Sequence, residues 1–259
     1  MALAKANPQP LEFLKLLAHD IRWRILLSLS RSDHRVEELV KQIKQPHNLI
    51  SYHLKRLRLQ QLVSERRSSA DGRDIYYSLN LEQFRQLYLQ AGDSLHPAIS
   101  EPLGQASSEE AVTHPPIRVL FLCTHNSARS QMAEGILRKL GGDEVEVFSA
   151  GSEPTSIHPL ATKVMSSIGI DLSQQRSKHL NEFVGQKFDY IVTVCDRVRE
   201  SCPVFPGDPE LIHWSFPDPV AVEGNTQTKE KAFFTTFQQL TTRIQNFLLI
   251  IRRNRAGSE

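Results

Sequence analysis

Apolar residues Leu11, Leu14, Leu17, Ile21, Ile25 and Leu29 recur at helical spacing and share one broad face, which predicts an amphipathic helix over residues 11–29. A shorter repeat predicts a second helix over 36–43, and Pro46-His47-Asn48 opens a third that runs to about Gln61. The period then changes. Residues 62–67 and 75–79 read as strands, and Asp71-Gly72 between them is a hairpin signal. Another helix covers about 81–91. From residue 117 onward, strand-length apolar runs alternate with helical patterns: strand 117–122 and helix 130–140, strand 145–149 and helix 159–168, strand 188–194, and a last helix over about 229–251. Helix, short helix, turn, helix and hairpin is the winged helix-turn-helix order. Alternating strands and helices imply an α/β parallel sheet with helices on both faces.

A segment at 98–116 interrupts the two patterns with Pro102, Gly104, Ser107, Ser108, Glu109, Glu110, Pro115 and Pro116, and reads as a linker. The expected organisation is a mainly α winged-helix domain over 1–97, a linker over 98–116 and an α/β domain over 117–259. The overall charge of +2 conceals an asymmetry. Residues 1–98 carry 15 Lys+Arg against 10 Asp+Glu, whereas residues 99–259 carry 16 against 19. A basic first domain suits a polyanion partner. No apolar stretch approaches the ~18 residues of a membrane span, and the first residues lack an apolar signal core, so a cytoplasmic protein is expected. In a reducing compartment, the three cysteines, Cys123, Cys195 and Cys202, are expected to be catalytic or metal-binding rather than structural.

Cys123-Thr124-His125-Asn126-Ser127-Ala128-Arg129-Ser130 lies between a predicted strand and a predicted helix. A cysteine, five residues and an arginine at such a junction form an oxyanion cradle. Loop N–H groups and the helix N-terminus point at one spot, and Arg129 can hold two oxygens of a tetrahedral anion. The same field is expected to lower the pKa of Cys123 and make it a nucleophile. Ser130 can donate to its sulfur, and Asn126 can brace the loop. A zinc site would need four ligands, and three cysteines without clustered histidines do not supply them.

Cys195 ends a predicted strand, where open parallel sheets face their ligand crevice. Cys202 follows seven positions later. A helix between them would hold their Cα atoms roughly 10 Å apart, beyond disulfide reach, so pairing requires rearrangement. Asp218, between Pro217 and Pro219, suits a general acid on a rigid loop, although Asp in a turn is common in its own right.

With these residues in place, the stretch from Ile117 to about Arg252 resembles the low-molecular-weight phosphatase fold, specifically its arsenate reductase branch. The elements that carry the resemblance are residues 121–134, Phe148-Ser149-Ala150-Gly151, Cys195 with Cys202-Pro203, and His213-Trp214 with Asp218-Pro219. The resemblance implies a thiol relay with catalytic residues Cys123, Arg129, Cys195, Cys202 and Asp218, arsenate held by residues 124–130, no cofactor, and an external reductant. Thioredoxin is implied by the three-cysteine layout, with glutaredoxin or mycothiol as the small-thiol alternative. Two positions depart from the pattern. Ala128 stands where many relatives have a second loop cysteine. Lys178 stands where some relatives have an acid that, with residues resembling Asn126, Glu134 and Ser149, binds potassium; Lys178 can supply that positive charge itself. Val220 follows Asp-Pro where phosphatases tend to carry an aromatic residue. The competing readings are a protein-tyrosine phosphatase, which needs only the first cysteine, and a regulator whose second domain only senses oxyanion or redox state.

In the first domain, Leu49, Ile50, Leu54 and Leu57 of the third helix are expected to pack inward. Asn48, Ser51, Tyr52, Lys55 and Arg56 then face bases and phosphates, and Arg66, Arg67 and Arg73 decorate the wing. Together with residues 16–26 upstream, residues 11–96 resemble an ArsR-type repressor domain, which implies a homodimer on operator DNA reading two half-sites. The cysteine cluster of arsenic-sensing members is missing, since no cysteine precedes Cys123. The five histidines of this region show no metal spacing; Asp93 and His96 near the last helix are the remaining candidates for an interface site. The fused second domain is the alternative source of a signal.

Overall fold

A computed structural model describes residues 8–68, 72–96, 115–200 and 203–256. The chain divides into two compact units, within Met1–Val112 and Thr113–Glu259. Asp71, most of the expected linker and Cys202 lie outside the described residues.

The first unit comprises α1 (Pro8–Leu17), α2 (Asp20–Leu29), β1 (His34–Arg35), α3 (Val36–Ile43), α4 (His47–Leu59), β2 (Val63–Arg67), β3 (Ile75–Leu79) and α5 (Leu81–Asp93). Its core gathers Phe13, Leu16, Ile25, Leu26, Leu29, Leu39, Ile50, Leu54 and Leu57. Such side chains each contribute about 1.5–3 kcal/mol when fully buried. The periodicity over 11–29 proves to be two helices broken at Ala18-His19. Arg22 explains the break: it is buried, and its guanidinium donates to the carbonyls of Leu16 and Lys15 at the end of α1, so α2 starts on a new axis. Lys44 closes α3 in the left-handed region at φ 56°, and Pro46 precedes α4. The hairpin pairs Val63 with Leu79 through Arg67 with Ile75. β1 is a two-residue strand on the other edge of β3, too short to leave a period-2 signal.

The second unit comprises β4 (Ile117–Cys123), α6 (Arg129–Gly141), β5 (Val145–Gly151), α7 (Pro159–Ser167), β6 (Tyr190–Thr193), α8 (Asp196–Glu200), β7 (Glu210–His213) and α9 (Thr226–Ala256). All four strands are parallel, in the order β5-β4-β6-β7. The chain leaves β4 for β5 on one side and later adds β6 on the other. The carboxyl end of β4 is therefore the switch point where the crevice of an open sheet forms. Strand β7 escaped the sequence reading because its two outer residues are exposed and only Ile212 and His213 are buried. The stretch after Cys195, between strand 188–194 and the last helix of the sequence pattern, forms the short helix α8.

Candidate functional site

β4 delivers Cys123 to the switch point, and α6 begins at Arg129, so residues 124–128 must turn within the crevice mouth. Four consecutive loop carbonyls are tied outward. Glu153 N–H donates to Thr124 O over 2.9 Å, Thr155 N–H to His125 O over 2.9 Å, Ser177 Oγ to Asn126 O over 2.7 Å, and His158 N–H to Ser127 O over 2.8 Å. With the carbonyls anchored on the outside, the loop presents its N–H groups inward, the arrangement that binds anions. The Asn126 N–H donates to Cys123 Sγ over 3.1 Å. Asn126 pays for this turn with φ 46°, a conformation that asparagine tolerates better than most residues.

Gly151 ends β5 opposite Cys123. A Cβ there would lie 2.5 Å from Thr124 O and 2.9 Å from Asn126 N, so the main chain of the loop lies directly against it. The residues 153–158 and Ser177 that belt the loop were not anticipated. They carry no chemistry of their own, and only the fold brings them to the loop.

A hydrogen-bonded chain runs behind the sulfur. Ser130 Oγ lies 2.8 Å from Cys123 Sγ; Asn126 Nδ2 donates to Ser130 Oγ (2.9 Å) and to Ser149 Oγ (2.8 Å); Ser149 donates to the buried carboxylate of Glu134. Gln131 Nε2 and the Lys178 N–H both donate to Asn126 Oδ1, at 3.0 and 2.8 Å. Lys178 Nζ lies 3.3 Å from Glu134 Oε2, and Arg138 pairs with the other oxygen at 2.5 Å. A cationic side chain thus sits in the buried pocket behind the loop.

The resting loop differs from expectation in two respects. The guanidinium of Arg129 is already engaged: Nη2 pairs with Asp218 at 2.7 Å, and Nη1 donates to Phe216 O over 3.1 Å. Burial, and next the neighbouring Cys195, push the Cys123 thiol above its ordinary pKa; Arg129, Ser130 and the Asn126 N–H oppose this without reversing it. Desolvation, which residue spacing does not reveal, is the largest effect on a thiol that is 3% exposed.

Cys195 is also buried, with Sγ 3.4 Å from Thr124 Oγ1. Thr124, Asn126, Ala128, Arg129 and Ser130 are buried and Ser127 is half-buried, whereas the side chain of His125 is exposed at the mouth. Among the described residues, no group of three His, Cys, Asp or Glu side chains could hold a metal ion, and no helix is long and apolar enough to cross a membrane.

On the first unit, Ile50, His53, Leu54 and Leu57 of α4 are buried, Leu49 is only half-buried, and Asn48, Tyr52, Lys55 and Arg56 are exposed, with Ser51 half-buried. Arg56 donates to Tyr52 Oη over 3.1 Å. Arg67 and Arg73 are exposed on the wing, and Arg66 is half-buried and donates to Arg67 O. His53, one of the five histidines without metal spacing, turns inward. Its ring is buried beside His19 (centroids 4.4 Å apart), and burial lowers its pKa, as do His19, Arg22 and Arg56.

A cysteine and an arginine flanking an inward-facing ring of amides, on a parallel sheet with an aspartate beside the arginine, define a thiol-dependent oxyanion enzyme. Residues 118–256 match the family described as low molecular weight phosphotyrosine protein phosphatase, and the chain belongs to that family. Residues 19–65 match the bacterial regulatory protein arsR family. Among curated relatives, an arsenate reductase of Halalkalibacterium halodurans is 43% identical over 129 residues, which is 50% of this chain and 93% of that protein. The arsenate reductase of Bacillus subtilis is 37% identical over the same shares. A solved structure, the thioredoxin-dependent arsenate reductase of Corynebacterium glutamicum, is 25% identical and covers 85% of this chain and 96% of that one at a TM-score of 0.39.

Proposed function

We propose that the second unit reduces arsenate to arsenite by a cysteine relay, and that the first binds operator DNA and regulates arsenic resistance. The observation that carries the enzymatic reading is the ring of four outward-tied carbonyls around a buried thiol that has a second buried cysteine next to its loop. The 43% identity to an arsenate reductase supports the choice of oxyanion.

Arsenate enters the amide ring and draws Arg129 off Asp218. The thiol proton of Cys123 passes to the oxyanion, itself a base, and the thiolate attacks arsenic(V). Asp218, freed from Arg129, takes up a proton from solvent and passes it to the departing oxygen, which leaves as water. Cys195 then attacks the Cys123 sulfur. The S–S bond forms, the S–As bond breaks, and its electron pair leaves with arsenic as arsenite. Cys202 attacks Cys195, Cys123 leaves as a thiol, and a 195–202 disulfide remains for an external dithiol of the thioredoxin class. No prosthetic group is required. Lys178 supplies the positive charge behind Asn126 and Glu134, which makes a bound alkali cation unnecessary. The DNA reader acts as a homodimer, with Asn48, Ser51, Tyr52, Lys55 and Arg56 at the major groove and Arg66, Arg67 and Arg73 on phosphates.

The test is arsenite production with thioredoxin, thioredoxin reductase and NADPH, run beside aryl phosphate hydrolysis. Arsenite formation with stoichiometric NADPH oxidation is expected. Phosphate hydrolysis that outpaces arsenate reduction identifies a phosphatase instead.

A further inference from the structure

The relay leaves a buried polar cluster unused. Asp196 directly follows Cys195 and opens α8. It is fully buried, and His213, the last residue of β7, is 3% exposed. His213 Nε2 lies 3.1 Å from Asp196 Oδ1, and Ser215 Oγ donates to the same oxygen over 2.8 Å. The other ring nitrogen, His213 Nδ1, lies 2.8 Å from Thr193 Oγ1 at the end of β6. Thr193 and His213 are register partners. The cluster therefore ties two adjacent strand ends to the residue after Cys195. Through Ser215 it also reaches the segment that carries Asp218 three residues later.

A buried Asp–His pair is a poor route to stability, because removing two polar groups from water offsets most of their attraction. Its value lies in geometry: it admits one arrangement. α8 needs such help. Five residues are too few to sustain a helix unaided. Arg197 and Glu200 are exposed, Arg199 is half-exposed, and only Asp196 and Val198 are buried. The cluster therefore adds a fixed anchor to the backbone that carries Cys195, beside the pairing of β6 and the buried Val198.

We infer that Asp196, clamped by His213 and Ser215, is a positioning residue that fixes Cys195 for attack on the Cys123 sulfur. This rests on the reductase reading given above. In the step it serves, the Cys195 thiol loses its proton to solvent and its sulfur bonds to Cys123. The S–As bond breaks, two thiols are oxidised, and arsenic(V) becomes arsenic(III). Asp196 and His213 touch neither arsenic nor sulfur in this scheme; they set the approach.

The test separates the two cysteines. Reduced full-length protein receives one equivalent of arsenate and no reductant, and arsenite release is timed. In parallel, alkylation of Cys123 by iodoacetamide is followed with and without arsenate. Asp196→Asn is expected to slow arsenite release by about 10- to 100-fold, the size of a small misplacement of a reacting group, while arsenate still protects Cys123. His213→Ala behaves alike, and His213→Gln, which retains an N–H donor for Asp196, recovers most of the rate. Ser215→Ala removes one bond but leaves the carboxylate paired; it slows release by about 2- to 10-fold and keeps the question open to measurement if Asp196→Asn does not fold. The inference is overturned if folded Asp196→Asn releases arsenite at the wild-type rate, or if it loses arsenate protection and release together, as a purely structural role requires. A wild-type protein that releases no arsenite defeats the reductase reading and the inference with it.

Discussion

The two units treat polar groups in opposite ways. In the second, polar atoms around Cys123 are buried and paired: carbonyls 124–127 are tied outward, the Asn126 side chain has four hydrogen-bond partners, and the Glu134 carboxylate is shared by Ser149, Lys178 and Arg138. In the first, Asn48, Tyr52, Lys55 and Arg56 of α4 and Arg67 and Arg73 of the wing face solvent over an apolar core. Chemistry at one atom needs donors fixed before substrate arrives, because reorganisation at the moment of reaction raises the barrier. Reading a polyanion needs exposed cations and donors that settle on a surface already decorated with counterions. The contrast predicts steep, local losses in one unit and graded, salt-dependent losses in the other.

The largest effect is expected from Cys123→Ser, which should abolish arsenite formation in the thioredoxin-coupled assay while operator affinity stays unchanged. Its companion Cys195→Ser should allow one arsenylation without turnover, and sustained turnover by that variant with thioredoxin as sole reductant would refute the relay. Next, Asp218→Asn should lower kcat by about 10²–10⁴-fold through loss of the general acid, read from steady-state rates with arsenate saturating. An intermediate effect concerns the internal cation: wild-type rates should match in potassium and sodium salts, whereas Lys178→Met should lower activity and introduce a response to potassium.

Smaller and more diffuse effects are expected in the first unit. Replacing Arg67 or Arg73 by Ala should weaken binding to all DNA sequences alike and reduce the slope of log K against log salt by about 0.9 per lost contact. The smallest is a pH effect at His53. Its pKa is lower folded than unfolded, so between the two values the unfolded chain binds more protons. Stability of this unit should therefore fall as pH drops below about 6.5, and His53→Phe should flatten that dependence in chemical denaturation. A single slope shared by both variants would assign the effect elsewhere.

Much of this was legible in the sequence because the signals are local. The strand–loop–helix around Cys123, the short helix 36–43, α4 and the hairpin each follow from spacing within a dozen residues. What escaped depends on distant partners. The break at Ala18-His19 is set by Arg22 reaching the end of the preceding helix. β7 is half-exposed and is recruited only by β6. The belt at 153–158 is made of backbone N–H groups, which leave no residue-type signature. The raised pKa of Cys123 was missed for a related reason: spacing reveals which charges adjoin a thiol but not how thoroughly water is excluded from it.

One hydrogen atom at the α-carbon of residue 151 has a wider consequence. Because what it faces is main chain, the Thr124 carbonyl and the Asn126 amide, no rotamer change in a neighbour can make room for even a methyl group. The rear wall of the pocket is therefore closed to variation. Tuning of selectivity among oxyanions falls to the open rim, where the side chain of His125 already stands in solvent.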